Sequence, residues 1–134
     1  MSAIYEDRAL ADKAVEKLRV YAQPQRLMIL SCLLRGERTV GEIEAATAIG
    51  QPALSQQLAE LRRGDLVKTR RAAKQVYYDL ADDSVALCVR SMEAIFTGGA
   101  ASARELTSAI AAEPSAPTAA PPAVGAAAFA KIGN

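Results

Sequence analysis

Residues 39–80 constrain this chain most, because the spacing of apolar residues changes period there and turn-forming residues fall at the changes. Thr39 and Glu42 make a TxxE capping box ahead of a short helix whose inward side is Val40 and Ile43. Ala48, Ile49 and Gly50 form a tight link to GQPALSQQLAELRR, residues 50–63, where Pro52 suits a first helical position that needs no N–H. At about 100° per residue, Leu54, Leu58 and Leu61 fall on one inward stripe. Gln51, Ser55, Gln56, Arg62 and Arg63 gather on the opposite side, with Gln57 nearer the apolar stripe. LVKTR (66–70) and QVYYDL (75–80) then have the Val, Thr and Tyr content of strands, with RAAK (71–74) between them.

Two tightly linked helices followed by a two-stranded hairpin predict a mostly α fold with a small β-wing, the winged helix-turn-helix. A helix that presents Gln and Ser outward suits the major groove of duplex DNA. Gln bonds adenine at two edge atoms and Ser bonds several bases, which makes Gln51, Ser55 and Gln56 the candidates for base readout. Any amphipathic surface helix has a polar face, so charge must decide. Between residues 61 and 75 stand six cations, Arg62, Arg63, Lys68, Arg70, Arg71 and Lys74, against the single anion Asp65, while the whole chain carries only +1. A solvated charged hairpin would account for the cations alone; their coincidence with a helix-turn-helix points to phosphate contacts. A winged-helix module for protein or RNA contact stays open, since fold does not fix function. An enzyme is disfavoured: there is no histidine, and no Gly-rich phosphate loop, metal-ligand cluster or nucleophile elbow. Neither a cofactor nor a metal is expected.

The rest of the chain fits one domain with a loose end. Its 134 residues are 51% hydrophobic, enough to bury a core, and no run of about 18 apolar residues suggests a membrane span. The first residues, MSAIYEDRALADK, are charged rather than signal-like, so a cytoplasmic location is expected. Residues 1–6 read as a flexible N-terminus and 7–99 as the folded domain; 100–112 are at most a weak helix, and 113–134, with four of the six prolines, are expected to be disordered. A first amphipathic helix covers 7–22. Pro24 opens a second helix, RLMILSCLL, that Gly36 stops, and Asp82 or Asp83 caps a last helix ending near Gly98 and Gly99. The first and last helices carry apolar stripes in need of cover. A two-fold homodimer through Leu10, Ala14, Leu18, Val85, Val89, Met92 and Phe96 would supply it, and would offer two recognition helices about 34–36 Å apart to an inverted-repeat operator.

The runs RLMILSCLLRGERTVGEIE and QPALSQQLAELRRGDLVKTRRAAKQVYYDL resemble the ArsR/SmtB family of bacterial winged-helix repressors over about residues 10–97. The resemblance implies a homodimeric repressor that releases its operator when a metal ion or reactive small species binds, and it is nearest to the reactive-sulfur, redox and NolR-like branches. Gly64-Asp65 reverses the family's usual order, in which the glycine comes second. The arsenic- and cadmium-sensing cluster of the family would fall on Thr39, Val40 and Gly41, none of them a thiol, and a chain without histidine lacks the nitrogen ligands of the zinc sensors. The two cysteines of the sulfur-sensing branch would fall on Ser31 and Thr97. Cys32 and Cys88 are displaced from those places, Cys88 by nine residues or about 13 Å of helix, too far for the same disulfide. Two readings of these cysteines remain: small packed hydrophobes, or thiols of a redox, reactive-sulfur or arsenite sensor.

Overall fold

A computed structural model describes residues 3–98, 104, 105, 107 and 108. A short 3-10 turn, Ile4–Glu6, precedes α1, Arg8–Tyr21, and α2, Pro24–Leu34. A two-residue strand β1, Arg38–Thr39, leads into α3, Val40–Thr47, and α4, Ala53–Arg63; β2, Val67–Ala72, and β3, Gln75–Leu80, form the hairpin, and α5, Asp83–Thr97, follows. The strands make one antiparallel sheet in the order β1-β3-β2. This is the winged helix-turn-helix expected from the sequence. One contact-defined unit ends at Met92, and a second begins at Glu93, completing α5 and including the helical residues 104, 105, 107 and 108. The expected disordered tail, 113–134, and most of the expected weak helix lie outside the described residues.

Local chemistry sets the helix ends. Asp7 accepts the Leu10 N–H at 3.1 Å ahead of α1, and Asp82, rather than Asp83, accepts the Val85 N–H at 3.0 Å ahead of α5. The capping box closes in both directions: the Glu42 N–H donates to Thr39 Oγ1 at 3.2 Å and the Thr39 N–H donates to Glu42 Oε1 at 2.9 Å. Such a cap stabilises a helix by about 1 kcal/mol. Burial does more. Leu54 and Leu61 are fully buried and Leu58 nearly so, each contributing about 1.5–3 kcal/mol relative to exposure. They pack with Ile29, Leu30 and Leu33 of α2, Ile43 of α3, and Leu66 and Val67, so α4 is seated by its apolar stripe and its other face is left outward.

The structure corrects four sequence-based expectations. β1 was not anticipated; Arg38 and Thr39 pair with Tyr78 and Tyr77, so the start of α3 is bonded to the wing. The loop RAAK shrinks to Ala73-Lys74, because Arg71 and Ala72 continue β2 opposite Val76 and Gln75. Pro52 sits one place before α4 rather than inside it. Val85 and Val89, expected at a dimer seam, are 2% and 1% exposed within the protomer, because that face of α5 closes the protomer's own core. Of the other expected seam residues, Leu10, Ala14 and Met92 are half-buried, while Leu18 and Phe96 are 48% and 79% exposed.

Candidate nucleic-acid interface

The turn between α3 and α4 is held by its own backbone. Ala48 takes a left-handed φ of 61° that ends α3, and its N–H donates to Glu44 O at 2.8 Å. The Thr47 hydroxyl donates to Ile43 O at 2.8 Å and accepts the Ile49 N–H at 3.2 Å, which drops the buried Ile49 into the core. Gln51 then does what a capping Ser or Asp does elsewhere: its Oε1 accepts both the Ser55 N–H at 3.1 Å and the Ser55 hydroxyl at 2.7 Å. The candidate base readers Gln51 and Ser55 are therefore bonded to each other, leaving the Gln51 amide N–H groups as donors and Ser55 Oγ as an acceptor. Gln56 is exposed, and among the described residues its side chain bonds nothing. It alone of the three offers both donor and acceptor, the pair needed for two bonds to an adenine edge. Gln57 faces inward, accepting from Arg26 Nη1 at 3.0 Å.

The cations separate into two groups. Arg62, Lys68, Arg71 and Lys74 are exposed and form no ion pair among the described residues. Arg63 pairs with Glu60 one turn earlier on α4, both side chains more than half exposed. Arg70 is engaged within the protomer: Nε and Nη2 donate to the two carboxylate oxygens of Glu37, each at 2.7 Å, and the guanidinium lies 4.7 Å from the centre of the Tyr77 ring. Glu37 stands just before β1, so this bidentate pair crosses the sheet and ties β2 to the segment leading into α3. The pairing holds the Glu37 carboxyl below the usual carboxylate range, chiefly through the Arg70 hydrogen bonds. Neither Glu37 nor Arg26 was singled out from the sequence. The wing turns at Ala73 and Lys74, whose φ values of 53° and 68° are those of a two-residue type I′ hairpin, placing Arg71 and Lys74 at its tip.

Both cysteines are free thiols, Cys32 half-buried on α2 and Cys88 exposed on α5. Tyr21 is itself a core residue; burial first, and the influence of the Cys88 thiol second, push its phenol above the ordinary range. Among the described residues no group of three or more acidic or sulfur side chains is placed to hold a metal ion, and no helix is long and apolar enough to cross a membrane.

A buried-stripe helix with an outward polar face, mounted beside a cation-tipped hairpin, defines a regulator of the winged helix-turn-helix class. Residues 23–69 match the arsR family of bacterial regulatory proteins. The biofilm growth-associated repressor of Agrobacterium fabrum is 49% identical over 79 residues, 59% of this chain and 68% of that protein, and the chain belongs to the arsR family. The crystal structure of the transcriptional repressor BigR from Xylella fastidiosa superposes with a TM-score of 0.65 at 38% identity, covering 71% of this chain and 97% of BigR. A homodimeric winged helix-turn-helix DNA-binding domain from Mycobacterium bovis gives a TM-score of 0.58 at 32% identity, over 69% of this chain and 84% of that one.

Proposed function

We propose that the protein is a homodimeric, sequence-specific repressor of transcription that binds an inverted-repeat operator in bacterial cytoplasm and has no enzymatic activity. The observation that carries this reading is the outward face of α4, where Gln56 stands unengaged between the Gln51–Ser55 pair and Arg62. Base readout falls to Gln56, with the remaining donors of Gln51 and the hydroxyl oxygen of Ser55 beside it; Arg62, Arg63, Lys68, Arg71 and Lys74 meet phosphates. Dimerisation is supported by Val15 and Leu18 of α1, which are 46% and 48% exposed, and by the homodimeric Mycobacterium bovis relative. Gln56→Ala is expected to reduce discrimination at one base position by about 1–3 kcal/mol while leaving binding to unrelated duplex unchanged. Competition binding on single-substituted operators measures this, and uniform weakening across all sequences would refute base readout by Gln56.

A second reading concerns the signal. Cys88 is exposed on α5, and its thiol influences the phenol of the core residue Tyr21 on α1, so oxidation or modification of the sulfur there would be felt by both helices. Replacing Cys32 and Cys88 by Ser should leave operator binding intact and abolish its loss on treatment with oxidant, polysulfide or arsenite. Equal release of the double variant and the wild type in a gel-shift assay would exclude both thiols as the sensor.

A further inference from the structure

We propose that Arg26 is a positioning residue that locks the recognition helix α4 to the C-terminal end of α1, and thereby sets the half-site spacing that the dimer accepts. The inference rests on the homodimeric reading above.

One guanidinium spans three helices. Arg26 lies near the start of α2, where its own N–H is capped by Gln23 Oε1 at 2.8 Å. Its Nε donates to Val20 O at 2.6 Å and its Nη2 to Arg19 O at 3.3 Å, both carbonyls in the last turn of α1. Its Nη1 donates to Gln57 Oε1 on α4 at 3.0 Å, and Gln57 Nε2 donates on to Gln25 Oε1 at 3.5 Å. The last carbonyls of a helix are its negative pole and have no partners within the helix, so a cation is favoured there. Arginine also does what lysine cannot: its donors are fixed in one plane, so bonding α1 with two of them aims the third.

A second attachment lies at the other end of α4. Gly64, just past α4, lies directly against Val20 of α1, and the Lys17 ammonium donates to Gly64 O at 3.4 Å. Gln57 and Gly64 are seven residues apart, about 10 Å along the helix. One contact would be a pivot, whereas two that far apart fix the direction of α4 relative to α1. Because α1 also bears the exposed Val15 and Leu18, Arg26 and Gln57 join the dimer face to the base-reading face by directed polar bonds, in addition to the core that α1 and α4 share. Two recognition helices mounted in this way meet successive major grooves at one separation only, and a loosened mount would accept neighbouring separations.

The test uses the full chain. An inverted repeat is first selected by the wild-type protein from a pool of random duplexes. Arg26→Lys, Gln57→Ala and the double variant are then titrated against duplexes carrying the selected half-sites at the selected spacing and at one base pair more or less, and against a single half-site. Each single variant should bind the single half-site within about twofold of wild type, while its preference for the selected spacing falls about fivefold or more. The double variant should lose no more than either single variant, because both break the same link. Gln57→Ala leaves the Arg26 bonds to α1 in place, so it tests the link even where Arg26→Lys lowers the melting temperature. Unchanged spacing preference, or equal loss on the single half-site and the paired sites, would overturn the proposal. A wild-type protein that selects no paired site would overturn the dimeric reading, and this inference with it, before any variant is made.

Discussion

Raising monovalent salt from about 50 to about 200 mM is expected to weaken duplex binding on the order of 10³- to 10⁵-fold. Four cations per protomer, Arg62, Lys68, Arg71 and Lys74, are exposed and unpaired among the described residues, which makes eight in a homodimer. Six to ten neutralised phosphates give a loss of about this size, because each releases a condensed counterion. The structure also predicts that the cations are unequal. Arg71→Ala should reduce the slope of log K against log salt by about two per dimer, since each copy gives up one contact of about 0.9. Arg70→Ala should hardly change that slope, because the Arg70 fork is already occupied by both oxygens of Glu37 and its plane by Tyr77. Fluorescence anisotropy over a salt series measures both. A wild-type slope shallower than about two, or equal effects of Arg70→Ala and Arg71→Ala, would contradict this division of the wing.

Gly64→Ala is expected to lower stability by about 1–3 kcal/mol, a fall of roughly 4–8 °C in Tm per kcal/mol for a domain of this size. The reason is contact and not backbone freedom. Gly64 has φ −85° and ψ 3°, open to any residue, but a Cβ there would stand 2.8 Å from both methyl carbons of Val20 and 3.2 Å from its branching carbon. Rotating Val20 cannot clear a clash that involves the branch point itself, so α1 must move away from α4. Asp65, the next residue, carries the strain that a glycine would relieve, with a left-handed φ of 61°. Asp65→Gly should therefore gain about 0.5–1 kcal/mol, less than the conformational penalty alone, because glycine also loosens the unfolded chain. The reversed Gly64-Asp65 order thus has a steric cause: of two positions that each favour glycine, this chain gives it to the one pressed against α1. Urea denaturation of both variants checks the pair, and Gly64→Ala as stable as wild type would show that α1 and α4 do not approach as closely as described.

The readable parts of the sequence were those whose partners lie within about four residues. The Thr39–Glu42 box, the Leu54, Leu58 and Leu61 stripe, and the outward Gln51, Ser55 and Gln56 all follow from helical period and capping chemistry, which are local. The two-residue wing turn is shorter than the sequence suggests because Ala73-Lys74 is not the Asn-Gly type of pair that marks a type I′ turn; the sheet imposes the positive φ values on residues that do not favour them. Arg70 looked like one more phosphate cation because its partner Glu37 is 33 positions away. The role of Arg26 is invisible in the sequence for the same reason, with Gln57 31 positions off. Val85 and Val89 lie on one stripe with residues that are exposed, and periodicity marks a helix face without saying which neighbour covers it.

From its residue order alone this chain was committed to a helix-turn-helix with a basic wing, because periodicity, caps and clustered charge are set by neighbours along the backbone. Tertiary structure decided which of the polar and charged groups on that frame are available to a partner. Gln51 and Ser55 engage each other, Arg70 is held by Glu37 and Arg26 by α1 and α4, whereas Gln56, Arg71 and Lys74 make no such bond among the described residues. Availability depends on where distant segments meet, since a donor or a charge is spent by whatever lies within about 3 Å of it in space, wherever that group stands in the chain.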